Sequence, residues 1–244
     1  MVSCFLSFCI ERSLDADNKR TYSHRAEVLE QKAQNAEKAL ANSGESGIIK
    51  SRSGKMALEY QRYGRNKSTL VNKTYIDSGT YRKKYDKLSE NTDVNKALYD
   101  SAKKALKHRS GTLFEDMYWI DVNNGKEICS VLNSTIEETI EYSNRIWEKI
   151  KSNNSIVTIH THPQSMPPSV DDFNSCLENG YQFGVVACHD GKVFQYFSNQ
   201  KISKTLYNLY ISEFMESGLS EYEAQIQTLL ILKESHAIDF LEVV

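Results

Sequence analysis

The chain is short of proline, of paired cysteine and of long apolar runs, and each shortage excludes something. Only three of its 244 residues are proline, and Pro163, Pro167 and Pro168 all fall in one short stretch. Proline locks φ and removes a backbone donor, so that stretch is marked as a loop while the rest of the chain is free to form regular structure. The five cysteines, Cys4, Cys9, Cys129, Cys176 and Cys188, are odd in number, widely spaced and contain no Cys-x-x-Cys pair. That pattern argues against a disulfide framework and fits a reducing, cytoplasmic setting. No segment reaches eighteen apolar residues, and the apolar run 2–10 is interrupted by Ser3 and Ser7 and lacks a basic flank. Neither a membrane span nor a signal peptide is expected. There is no block of five or more Lys/Arg and no nucleic-acid-binding motif.

What is present is a chain of soluble, globular composition, 40% hydrophobic and 25% charged, with a net charge of −2. The charge is unevenly spread. Residues 1–110 carry 22 basic and 13 acidic side chains, about +9, whereas the remainder carries 8 and 19, about −11. A basic, mainly helical N-terminal region over 1–109 is therefore expected to precede a domain of different surface over 110–244. The basic half suits an acidic partner, a nucleic acid, or the acidic half of the same protein.

The most informative stretch is 156–173, IVTIHTHPQSMPPSVDDF. Ile156, Val157, Thr158 and Ile159 read as a strand that delivers His160 and His162. Residues i and i+2 on a strand share a face, so both imidazoles can aim at one point. The prolines then end the strand. Ser169 is placed to cap a helix whose first turn holds Asp171 and Asp172, where carboxylates suit the positive end of the dipole. Two same-face histidines and a carboxylate returned by a short loop form the ligand set of a catalytic zinc site, with a fourth position left for water.

The pattern His160-x-His162-Pro163, then Ser169-x-x-Asp172, resembles the motif of the JAMM (MPN-type) zinc metalloprotease family, in a bacterial or phage-associated form. Its loop from Pro163 to Pro168 is one residue shorter than the family's usual spacing. The resemblance spans roughly 110–197. It implies Zn2+ held by His160, His162 and Asp172, the spacing selecting Asp172 over Asp171. It also implies an upstream glutamate as general base and Ser169 hydrogen-bonding the tetrahedral intermediate. Glu115 is the better candidate for the base, since it opens the first expected strand; Glu127, on the return strand beside the turn, is the competitor. The implied reaction is hydrolysis of a peptide or isopeptide amide in a protein or peptide substrate. The alternative is a non-enzymatic phage or mobile-element protein that uses the fold as an interaction scaffold.

The order of elements implies an α/β fold with the strands central, and the resemblance implies a JAMM/MPN-like central mixed β-sheet flanked by helices. A long polar helix is expected over 15–42, a breaker at 42–47, and helices around 81–88 and 94–108. In the second half, strands are expected over 113–122 and 127–132 around the hairpin turn Asn123-Asn124-Gly125. A helix starting at Ser134 with Glu137 as a capping-box partner is expected to run to about 153. Strands over 181–188 and 193–198, joined by a turn carrying His189, precede two closing helices over 203–216 and 220–235.

Overall fold

The computed structural model describes residues 69–244, so the helix expected over 15–42 and the breaker that follows lie outside the described residues. Within them the elements run α1 (Lys73–Ile76), α2 (Gly79–Lys83), α3 (Thr92–Arg109), β1 (Met117–Asp121), β2 (Glu127–Val131), α4 (Asn144–Lys151), β3 (Ile156–His162), α5 (Val170–Glu178), β4 (Phe183–Cys188), β5 (Val193–Ser198), α6 (Lys204–Glu216), α7 (Glu221–Glu234) and β6 (Ile238–Glu242). The six strands form one mixed sheet in the order β2-β1-β3-β4-β5-β6. Only β3 and β4 run parallel, and α5 is the crossover that a parallel pair requires.

Both faces of the sheet are covered. Helix α3 is capped by the Asn91 side chain and carries Lys107, His108 and Arg109 in its last turn, which suits the helix dipole. Val94, Leu98, Ala102, Ala105 and Leu106 recur at helical spacing. They pack on Tyr118, Ile120, Val157, Ile159 and Val185, each apolar side chain of Val or Leu size contributing about 1.5–3 kcal/mol on full burial. The helix that closes the expected N-terminal region therefore shares a core with the sheet. On the other face, Ile150 of α4, Phe173 and Cys176 of α5, and Leu229 and Leu232 of α7 pack on Trp119, Ile156, Val186 and Phe194. No described helix is long and apolar enough to cross a membrane.

Three expectations need correction. The helix expected from Ser134 forms only over Asn144–Lys151. The Ser134 hydroxyl instead donates to the carbonyls of Ile136 and Thr139, closing a turn, and β-branched Thr135, Ile136, Thr139 and Ile140 disfavour helix there. The first strand begins at Met117 rather than 113, so Glu115 lies just before it. The chain also closes on a sixth strand, β6, which pairs with β5. The hairpin turn is as expected: Gly125 adopts φ +67°, and a Cβ there would lie 2.5 Å from the carbonyl oxygen of Asp93.

Candidate metal centre

The two histidines occupy the C-terminal end of β3, beside its parallel neighbour β4, where clefts form in open α/β sheets. Both face the layer that contains α5. Their Nε2 atoms are 3.0 Å apart. Asp172 Oδ1 lies 3.2 Å from His160 Nε2, and Oδ2 lies 3.5 Å from His162 Nε2. Among the described residues these three form the one cluster whose ligand atoms converge in this way.

Local chemistry explains why each side chain stands where it does. Asp172 is the N3 residue of α5 and completes a capping box: the Ser169 backbone N–H donates to its Oδ2 at 2.6 Å, and its own N–H donates to Ser169 Oγ at 3.3 Å. The cap fixes the carboxylate's direction and leaves Oδ1 toward His160. His162 Nδ1 is 2.9 Å from the Met166 carbonyl oxygen. That carbonyl can only accept, so Nδ1 carries a proton, and Nε2 is the ring nitrogen turned to Asp172 and His160, the one a metal would take once its own proton has left. The proline loop that supplies this carbonyl is itself tied down, since Gln225 of α7 donates to the carbonyls of Pro167 and Pro168.

These distances fit a tetrahedral metal. With zinc–ligand bonds of about 2.0–2.1 Å, a regular tetrahedron has edges of roughly 3.3–3.4 Å, close to the separations observed. Two imidazole Nε2 atoms at 3.0 Å repel unless a proton or a cation lies between them. His160 Nδ1 is buried and meets no partner. That exposes the fold to a desolvation cost of about 1–3 kcal/mol while keeping the other ring nitrogen on the cleft. The donor set of two nitrogens and one carboxylate oxygen suits zinc.

Glu115 reaches the same place from the segment just before β1. Met117 pairs with His160 in the antiparallel ladder. The pairing continues one step further, with the Thr161 N–H donating to the Asp116 carbonyl and the Asp116 N–H to Thr161 Oγ1. Glu115 thus comes alongside His162, and directly opposed residues share a face. It is buried, 8% exposed, and burial pushes its carboxyl up to about 7 against the pull of the His162 and His160 imidazoles. Burial opposes charge on His162, but the hydrogen bond and charge of Asp172, with Glu115 and the Met166 carbonyl, push it up to about 9. Burial likewise opposes ionisation of Asp172, yet the two imidazoles hold its carboxyl well below the usual range.

Glu115, His160, His162, Ser169 and Asp172 all line one cleft of about 350 Å³, walled by Ile140 and Tyr142 of the loop that replaced the expected helix. Ser169 combines its capping role with this position: its oxygen accepts from Asp172 while its hydroxyl proton remains to be donated. Asp171 lines the cleft as well, but pairs with Lys204 at 2.5 Å and is 69% exposed. Glu127 is exposed on β2 and accepts from Ser130. His189 is buried, its Nδ1 2.6 Å from the Thr69 carbonyl oxygen.

The support behind Glu115 lies in a buried ion pair that the sequence pattern did not announce. Asp116 is fully buried and is held by Arg109 Nε at 2.5 Å and His108 Nδ1 at 2.7 Å. Arg109 also donates to the Leu132 carbonyl at 2.8 Å, tying the end of α3 to the segment after β2. The adjacent pair Glu115-Asp116 was the available signal: neighbours at a strand edge point oppositely, so one carboxylate facing the cleft sends the other toward α3. Comparison of the chain with family models, with curated proteins and with solved structures found no match.

Proposed function

We propose that this protein is a zinc-dependent hydrolase of peptide or isopeptide amide bonds, with JAMM-type chemistry. The observation that carries the reading is the convergence of His160 Nε2, His162 Nε2 and an Asp172 oxygen at tetrahedral spacing, beside a buried carboxylate in an open cleft. Zinc held there would supply Lewis acidity, polarising a carbonyl and acidifying water at the open position.

The chain's own residues supply the rest. Glu115 takes the proton of the attacking water and returns it to the amide nitrogen as the C–N bond breaks. A carboxyl with a pKa near the working pH serves both directions. The Ser169 hydroxyl donates to the oxyanion that develops on the carbonyl oxygen. Gln164 Oε1, buried and unpartnered on the cleft wall, is an acceptor suited to an amide N–H of the substrate. Arg109 and Asp116 hold the backbone that presents Glu115.

The test is a comparison of zinc-loaded wild type with Glu115→Gln on a mixture of fluorogenic peptides and isopeptide-linked conjugates. A loss of about 10²–10⁴ in rate is expected for the variant, with metal content unchanged. Equal rates in the two proteins would refute the assignment of the base. No turnover by the zinc-loaded wild type on any amide would favour the scaffold reading.

A further inference from the structure

The catalytic cleft does not end at the metal centre. It continues into a second, larger groove, about 830 against 350 Å³, with which it shares Tyr142, Asp171 and Ser175. The second groove runs between α4 and α5, and Tyr142 stands at the junction. Its ring is held edge-on between buried Trp119 and half-buried Trp147, with both centroid distances 5.5 Å.

The groove is basic on balance, with three lysines against Asp171 and Glu178, in a part of the chain that is acidic overall. Residues 111–244 hold only eight Lys/Arg against nineteen Asp/Glu. Three of those eight, Lys151, Lys201 and Lys204, line this one groove. Their placement is built in. Lys151 Nζ lies 5.2 Å from the Trp147 ring centroid. Lys201 and Lys204 flank Ile202, which buried Asn174 of α5 clamps by both backbone groups, accepting from its N–H at 2.8 Å and donating to its carbonyl at 3.0 Å. Lys201 and Lys204 pair with Glu178 and Asp171, but all four side chains are more than half exposed. Exposed pairs of this kind are weak and exchange readily for an incoming carboxylate.

We propose that this groove is a substrate-binding subsite for an acidic segment of polypeptide, lying to one side of the bond cleaved in the neighbouring cleft. The inference rests on the hydrolase reading. A polypeptide is favoured over other polyanions because the groove is continuous with a cleft lined by groups suited to an amide. The chain leaving the metal centre passes Tyr142 and lays its backbone along Trp147 and the amides of Asn154 and Asn179. Its Asp or Glu side chains meet Lys151, Lys201 and Lys204. Selectivity then comes from a basic strip on an otherwise acidic surface, which repels acidic chains elsewhere.

The molecule carries its own reporter. It has two tryptophans; Trp119 is fully buried, and Trp147 faces the groove. The experiment titrates zinc-loaded full-length Glu115→Gln, which holds peptide without cutting it, with eight-residue peptides matched in length and rich in Glu, Gln or Lys. A single-stranded oligonucleotide of similar charge forms a fourth arm. Tryptophan emission is the readout, and Trp147→Phe added to this protein identifies its source. Saturable quenching by the Glu peptide, at least about tenfold tighter than by the Gln peptide, is expected, and it should weaken sharply in 0.5 M salt. Lys201→Glu with Lys204→Glu should erase the preference, whereas Lys126→Glu on the distant hairpin should not. Equal affinity for the Glu and Gln peptides, an unchanged preference in the double variant, or tighter binding of the oligonucleotide would overturn the proposal. Zinc content and wild-type turnover are measured in parallel. Acidic preference without turnover would refute the hydrolase reading and leave the groove, while turnover without acidic preference would do the reverse.

Discussion

Zinc and protons should compete for the same site, and the competition can be sized from the geometry. In the metal-free protein His162 is pushed up to about 9, because Asp172 and Glu115 face it in a buried cleft. At neutral pH its Nε2 is therefore protonated, and a metal must displace that proton before it can bind. Zinc uptake at pH 7 should release about one proton from His162, and apparent affinity should rise about tenfold per pH unit up to about 9, or about 1.4 kcal/mol per unit. Without metal the dependence is reversed. A His pKa raised above its unfolded value contributes stability that is complete below 6.5 and lost as pH rises through about 9, an effect of about 3 kcal/mol. The assay is calorimetric titration of zinc into metal-free protein in two buffers of different ionisation enthalpy, with thermal unfolding across pH 6 to 10 alongside. Zinc affinity independent of pH between 7 and 9, or no proton release, would refute the assignment of His162 as a protonated ligand.

Other consequences are equally specific. Arg109→Ala leaves the fully buried Asp116 carboxylate without its guanidinium. It should destabilise the fold by about 3–5 kcal/mol, read by chemical denaturation, and a change below about 1 kcal/mol would show that the pair is not what anchors β1. In Gly184→Ala the new Cβ would lie 2.2 Å from the Tyr196 ring, which lines the cleft. A loss of about 1–3 kcal/mol is expected, and an unperturbed melting temperature would contradict that contact. Gln225→Leu removes both hydrogen bonds to the proline loop. Zinc affinity should fall in it by about tenfold, as expected for loss of an outer-shell support, measured by chelator competition; unchanged affinity would show that the loop holds Met166 without α7.

Much of the site was legible in the sequence because its parts are local. His160 and His162 share a strand face by spacing alone, and the Ser169–Asp172 capping box is a four-residue pattern whose geometry follows from helix chemistry. The contribution of Glu115 was harder to see, since it depends on the β1–β3 register, which no local pattern specifies. The same limit explains β6, whose partner β5 lies about forty residues away in the chain. It explains the loop after β2 as well. Ser134 and Glu137 carry the letters of a capping box, yet the side chains of Ile140 and Tyr142 are drawn into the core layer and the cleft wall. That tertiary demand outweighs a marginal helical preference. Arg109 reads as a plain helix C-terminal charge until α3 is laid against the sheet.

One divalent ion should be held by two imidazoles and the carboxylate of Asp172. Elemental analysis of the purified protein, wild type beside Asp172→Ala and Asp171→Ala, decides it. About one equivalent of zinc in the wild type and in Asp171→Ala, with none in Asp172→Ala, is the expected result. Equal zinc in all three proteins, or none in the wild type after incubation with the metal, would contradict it.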